Sequence, residues 1–301
     1  MAHGWIILDK PLGLGSTQGV AAVKRNLREA GYGKKVKVGH GGTLDPLATG
    51  VLPIALGEAT KLAGRMLDAT KTYQFTVRFG EQTDTLDLEG AVIATSDVRP
   101  SRADVEAVLP RFTGPIEQVP PAYSALKVDG ERAYDLARAG VDVQLKVRSV
   151  TILDLQLQDF DAEAGATLLA KVSKGTYIRS LARDIAHACG SCGTVTMLRR
   201  VQAGPFDLSH AISLDKLNEF GKGAPLEQIL LPLEAGLDDI PAIDLTPEQA
   251  RAVRQGRVLT GMPHEDGLYW ARLGTVPVAL VELSDQEVRV VRGFNLSDVA
   301  E

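Results

Sequence analysis

Cysteine is nearly absent from this sequence, with only Cys189 and Cys192 in a chain of 301 residues. That is too few for a disulfide framework. No run of about 18 apolar residues occurs, so a membrane-spanning helix is not expected. The start, MAHGWIILDKPLG, has no basic segment leading into a long apolar stretch, so no signal peptide is expected and the cytoplasm is the expected compartment. Also missing are Gly-x-x-x-x-Gly-Lys-Ser/Thr and a strand-borne Gly-x-Gly-x-x-Gly, the usual phosphate cradles of nucleotide enzymes. The Cys189-Gly-Ser-Cys192 pair follows His187 and has the spacing of half a zinc site. A structural zinc needs four ligands and no second pair exists, so no metal is expected and the pair reads as a reduced turn at a helix end.

What is present is an ordinary folded composition, 45% hydrophobic and 24% charged, in a length that suggests about two domains. The formal charge of −5 argues against indiscriminate coating of nucleic acid. The average hides a basic stretch: Lys24, Arg25, Arg28, Lys34, Lys35 and Lys37 face the single acid Glu29. A second group comprises Lys171, Lys174, Arg179, Arg183, Arg199 and Arg200. Such clusters suit one polyanion at one face, and solvated helix faces would give the same composition.

Strand and helix signals are intermixed. Residues 5–8 form an apolar run suited to a buried strand, after which Ser16 offers a cap to a helix over 17–30 that Gly31 ends. Tyr73, Phe75, Val77 and Phe79 alternate with polar residues and predict a strand with Tyr73 on its buried face. Ser101 caps a helix through Ala107, and residues 132–139 read as a helix stopped by Gly140. Residues 150–157 and 168–173 read as strands. Helical spacing of Ile178, Leu181 and Ile185 predicts a helix over 176–188, with Tyr177 and Arg179 in its first turn. A boundary is expected near residue 240. Beyond it, Thr246-Pro-Glu-Gln opens a short helix and three strand-like runs follow at 269–273, 277–283 and 287–294.

The densest unusual segment is Gly39-His-Gly-Gly-Thr-Leu-Asp-Pro-Leu-Ala-Thr-Gly-Val-Leu-Pro. Its glycines allow close backbone approach to a ligand, and its one carboxylate, Asp45, precedes a proline that favours extended backbone. An exposed carboxylate on such a loop suits a nucleophile or base, while Asp-Pro in a glycine-rich stretch also makes an ordinary turn.

Six strings in order, Leu8-Asp-Lys-Pro-Leu-Gly, the 39–53 segment, Leu56-Gly-Glu-Ala-Thr-Lys, Gly80-Glu-Gln-Thr-Asp-Thr-Leu-Asp, Pro121-Ala-Tyr-Ser-Ala-Leu-Lys and Ser173-Lys-Gly-Thr-Tyr-Ile-Arg-Ser, resemble the motif series of the TruB-type tRNA pseudouridine synthases. The resemblance covers about two thirds of the chain. It departs from the commonest form in having Gly-Gly-Thr between His40 and Leu44.

The resemblance implies an α/β (α+β) fold with a large mixed, mostly antiparallel sheet flanked by helices, plus a small C-terminal β-rich PUA-like module. The catalytic domain would span 1–240, with a thumb-like RNA-binding insertion at about 121–149, and the module 241–301. The implied activity is isomerisation of a uridine in the TΨC loop of tRNA, with no cofactor and no obligate protein partner, by a monomer. By resemblance Asp45 is the catalytic aspartate and Arg179 the arginine set against it. Tyr73 is the active-site tyrosine that stacks on uracil. Tyr177 and Leu198 wall the uracil pocket, His40 fills the gap left by the extruded base, and Lys10 supports the loop. Taken without the resemblance, Tyr73, Tyr177 and Leu198 read as core packing and His40 as a surface residue. An RNA-guided dyskerin-type synthase and a tRNA-folding chaperone are the alternatives.

Overall fold

In the computed structural model of the chain, the described residues are 2–33, 35–124, 126–128, 131–140 and 145–296, the side chains of Lys127, Val128, Arg132 and Tyr134 excepted. Lys34 of the first basic cluster, part of the 121–149 insertion and the last residues of the 241–301 module therefore lie outside them.

The alternating segment predicted at residues 73–79 is the strand Lys71–Phe79, near the middle of a nine-stranded sheet. The main path runs Gly4–Lys10, Ala48–Leu56, Gly193–Ala203, Lys71–Phe79, Gly165–Val172, Arg148–Asp161, Gly114–Gln118. Val38–His40 adds to Ala48–Leu56, and Phe206–Asp207 to Gly193–Ala203. Its strand pairs are antiparallel except one, where Leu198, Arg199 and Arg200 lie parallel to Ala48, Thr49 and Gly50. Gly50 has φ +101° and a Cβ there would stand 2.1 Å from the Arg200 carbonyl oxygen, so this close pairing requires glycine.

Helices cover the sheet. Ser16–Glu29 and Leu214–Gly221 bury Val23, Leu27, Leu217 and Phe220 against Ile6, Leu52 and Ile54. Arg102–Val108 and Ile178–Ala188 bury Val105, Leu181 and Ile185 against Phe75, Val77 and Leu168. A third cluster joins Trp5, Val51 and Phe206 to Leu280 and Phe294 of the C-terminal region, whose own sheet has five strands between Ala242 and Gly293. The helix Pro247–Arg254 packs on it, its Thr246 side chain accepting from the Gln249 N–H at 3.2 Å. No helix among the described residues is long and apolar enough to cross a membrane.

Four sequence expectations change. Ser16 is the first residue of its helix and Gly15 stands at the cap, because the Ser16 hydroxyl is engaged by Leu44 at a distance in sequence. Most of the 39–53 segment is strand: only residues 41–47 stay irregular between Val38–His40 and Ala48–Leu56. The helix expected over 132–139 is shorter, Ala133–Arg138, with Arg132 in a two-residue strand pair. The later basic cluster is not a set of solvated helix faces, for Arg179 and Arg200 are buried, and Arg199 and Arg200 lie on a strand.

Candidate active site

The irregular loop between Val38–His40 and Ala48–Leu56 carries Asp45 and is pinned from three sides. From below, the Ser16 hydroxyl donates to the Leu44 carbonyl at 2.9 Å and accepts from its N–H at 2.7 Å. From the first strand, the Lys10 ammonium, fully buried, donates to the carbonyls of Pro11, Leu14 and Pro46. Burial lowers the Lys10 amine from its ordinary value to about 8, outweighing the attraction of Asp45, with the Arg200 charge acting in the same direction as burial. From the neighbouring strand, Arg200 donates to the carbonyls of Gly42 at 3.1 Å and Thr43 at 3.4 Å, and to that of Val51 at 2.8 Å. A Cβ on Gly42, where φ is +135°, would meet the Arg200 guanidinium at 3.5 Å.

Arg179 lies in the first turn of Ile178–Ala188, one of the helices laid against the sheet. The turn before that helix is fixed by Gln118, whose side chain accepts from the Tyr177 N–H at 2.8 Å and donates to its carbonyl at 3.1 Å. The Arg179 guanidinium donates to the carbonyls of Thr85 at 2.8 Å and Tyr123 at 3.0 Å. It sits 2.9 Å from Asp45 Oδ2 and 3.6 Å from Asp87 Oδ2. The Asp45 side chain is 41% exposed and that of Arg179 7%, so a buried guanidinium holds a carboxylate that still reaches solvent. Asp87 is itself buried, accepting from the Thr85 hydroxyl at 2.6 Å and the Glu89 N–H at 3.0 Å. Leu86 between them holds φ +65°, a conformation a branched residue keeps only when its surroundings impose it.

A small hollow of about 20 Å³ opens here, lined by Asp45, Asp87, Arg179, Thr196, Met197 and Leu198 among others. Tyr73 and Leu198 pack against both large apolar clusters and so stand at the seam between them. Tyr177 is half-buried; burial raises its phenol, with the charges of Arg148, Asp45 and Arg179 all acting on it. His40 ends its short strand, where burial, and then Arg200, push its imidazole below the usual value and so favour the neutral form. Its Nδ1 accepts from the Gly42 N–H at 3.4 Å. Of the residues expected from sequence, Asp45, Arg179 and Leu198 share the hollow, Tyr177 lies within the field of Asp45 and Arg179, Tyr73 stands at the cluster seam outside the lining, and Lys10 supports the loop from beneath. His40 stands beside the loop and not in the lining of the hollow.

The sequence model of the TruB family pseudouridylate synthase N-terminal domain matches residues 28–178, and that of the tRNA pseudouridylate synthase B C-terminal domain matches 179–238. The chain belongs to the TruB family of pseudouridylate synthases. A TruB relative named tRNA pseudouridine synthase B, from Novosphingobium aromaticivorans, is 73% identical over 100% of both chains. One from Zymomonas mobilis is 60% identical over 97% of this chain and 96% of its own. A chain of a solved Cbf5-Nop10-Gar1 complex is 26% identical, with TM-score 0.75 over 98% of this chain and 86% of that one. As a TruB-family member the protein is an enzyme, an isomerase that makes pseudouridine.

Two contributors escaped the sequence reading. Asp87 closes the Gly80–Asp87 string, and its place at the end of that motif was the available signal. Arg200 read as part of a basic cluster; nothing in the local pattern marks an arginine as buried on a sheet. The Cys189–Cys192 turn does end a helix, and burial raises the Cys189 thiol, which makes it a poor thiolate.

Proposed function

We propose that this enzyme converts the uridine at position 55, in the TΨC loop of tRNA, to pseudouridine, with Asp45 as the catalytic carboxylate. The observation that carries the reading is a half-exposed carboxylate held 2.9 Å from a buried guanidinium at the mouth of a hollow. The full-length likeness to relatives named tRNA pseudouridine synthase B supports tRNA as the substrate.

The reaction conserves every atom. The N1–C1′ bond breaks, the uracil turns, a C5–C1′ bond forms, C5 loses a proton and N1 gains one. No cofactor or group donor enters the balance. Asp45 adds to the sugar C1′ or the uracil ring, or assists departure through a glycal, and the Arg179 contact keeps the carboxylate directed. The uridine must first leave its stack, at a cost of a few kcal/mol. Tyr73 then stacks on the uracil and assists removal of the C5 proton, Tyr177 and Leu198 wall it, and His40 fills the vacated space in the RNA. Lys10 keeps the Asp45–Pro46 turn in place. The 121–149 insertion, with Lys127, Arg132, Arg138, Lys146 and Arg148, grips the stem-loop by shape and phosphate. Residues 1–240 serve as the catalytic domain and 241–301 as a PUA-like RNA-binding module, in a monomer that needs no protein partner.

The deciding experiment is tritium release from a tRNA transcript labelled at uracil C5, comparing the intact protein, Asp45→Asn and a transcript lacking uridine-55. Release that requires both the carboxylate and that uridine is the expected result. Tight tRNA binding without release would turn the reading toward a folding chaperone or a guide-RNA-dependent enzyme.

A further inference from the structure

Arg179 is held by backbone carbonyls from two segments far apart in sequence, Thr85 at 2.8 Å and Tyr123 at 3.0 Å. Those two segments are themselves cross-linked, for the Tyr123 hydroxyl donates to Asp84 Oδ2 at 3.3 Å. The result is a closed ring of contacts: Arg179 to Thr85, along one peptide to Asp84, across to the Tyr123 ring, and back through the Tyr123 carbonyl to Arg179.

Asp84 is a rigid post. Its N–H donates to the Ala91 carbonyl at 3.0 Å, and Gly90 lies so close that a Cβ there would stand 2.0 Å from Asp84 Oδ1. Among the described residues Oδ1 is buried with no hydrogen-bond partner, and the Tyr123 hydroxyl is the side-chain donor to this carboxylate, at Oδ2. Tyr123, by contrast, belongs to the insertion that starts at residue 121, and its hydroxyl also lies within the field of Arg138 on the Ala133–Arg138 helix of that insertion. Burial and the Asp84 charge raise the phenol above its usual value, so it stays protonated and a donor. The 3.3 Å separation exceeds the roughly 3.0 Å limit of a well-formed hydroxyl bond, leaving room to tighten.

We propose that Tyr123 and Asp84 form a latch that couples the RNA-gripping insertion to the guanidinium aimed at Asp45. Both are positioning residues acting through Arg179. Loading RNA on the insertion draws Tyr123 onto Asp84, which fixes the two carbonyls that orient Arg179. The proposal rests on the functional reading above.

The test is single-turnover pseudouridine formation on saturating tRNA transcript, with the dissociation constant measured separately. Tyr123→Phe removes one oxygen and keeps the ring packing. It should slow the step about tenfold, the worth of one hydrogen bond to a charged acceptor, with Kd within about twofold. Asp84→Ala should slow it similarly, and Asp84→Asn, which keeps an acceptor oxygen, should recover most of the rate. The Tyr123→Phe/Asp84→Ala double variant should be no slower than the slower single one. An undiminished rate in Tyr123→Phe, effects that multiply in the double variant, a loss confined to Kd, or Asp84→Asn as slow as Asp84→Ala would each overturn the latch. A wild-type protein that leaves the uridine unchanged overturns the functional reading itself, and the latch with it.

Discussion

Replacing Arg200 with methionine tests whether the loop bearing Asp45 is held from behind by a buried cation. Methionine retains much of the aliphatic stem and has no donors. Arg200 is 1% exposed, and the change removes donors from Val51 at 2.8 Å, Gly42 at 3.1 Å and, in a weaker contact, Thr43 at 3.4 Å. A buried carbonyl left without its donor costs about 1–3 kcal/mol, so the two good bonds account for about 4 kcal/mol. Relief from burying a charged guanidinium returns part of that, about 1–2 kcal/mol, leaving a net loss of about 2–3 kcal/mol. In a protein of this length the melting temperature should fall by about 5 °C. Leu44 and Pro46 keep their tethers to Ser16 and Lys10, so the loop loosens without leaving. Turnover should then fall about tenfold with tRNA affinity within about twofold, since misplacement of a reacting group by a fraction of an ångström is enough. Melting by circular dichroism and single-turnover kinetics check both halves. Unchanged melting and unchanged turnover would refute the tether. A selective loss of affinity with a shallower salt slope would instead make Arg200 a phosphate contact.

Asp87→Asn removes one of the two carboxylates beside Arg179 and should slow single-turnover conversion about tenfold while leaving tRNA affinity intact; equal losses in both would refute a purely orienting role. Burial lowers the Lys71 amine, which donates to the carbonyls of Met66, Leu67 and Ala69, to about 8. Its folded value lies below its unfolded one. Between those two values the unfolded chain therefore binds more protons, so the stability Lys71 contributes rises from about pH 8 upward and is flat below. The stability difference between wild type and Lys71→Met, from urea unfolding, should grow by about 2 kcal/mol between pH 8 and about pH 9.5, and a constant difference would rule the account out. Lys24, Arg28 and Lys37 line a groove beside the strand that ends at His40, and replacing all three with alanine should lower the salt slope of tRNA binding by up to about 3. A slope equal to wild type would move the RNA path off this face.

The sequence announces elements best where a face is periodic and local. Tyr73 to Phe79 alternates in the sequence and forms a strand, and Thr246 and Gln249 cap their helix as the spacing demands. It announces poorly the elements whose pairing is remote. Gly193–Ala203 carries Arg199 and Arg200 in succession, a charged stretch that gives no strand signal, yet it is central because each side chain finds a distant partner. Arg199 meets Asp9 at 2.9 Å, and Arg200 meets the loop carbonyls. At the site, the residues carried by motif strings, Asp45 and Arg179, come together in space. Asp87 and Arg200 were legible only as members of a motif and of a charge cluster, because their roles depend on which backbone oxygens and guanidinium the fold brings beside them.

The parallel pairing of Leu198–Arg200 with Ala48–Gly50 also sets an order of events during synthesis. Asp45 emerges early from the ribosome, but the arginine that aims it is encoded 134 residues later, and the contact that tethers its loop to Arg200 spans 158 residues. One side chain of the first strand waits longer still, since the Trp5 indole donates to the carbonyl of Leu233, 228 positions away. A nascent chain therefore holds an unaimed carboxylate until most of its length has been made. Contacts of such separation carry a large loop-closure entropy and form late. On the proposed reading, activity therefore cannot arise before residue 200 has emerged, and products truncated ahead of it should leave the uridine unconverted.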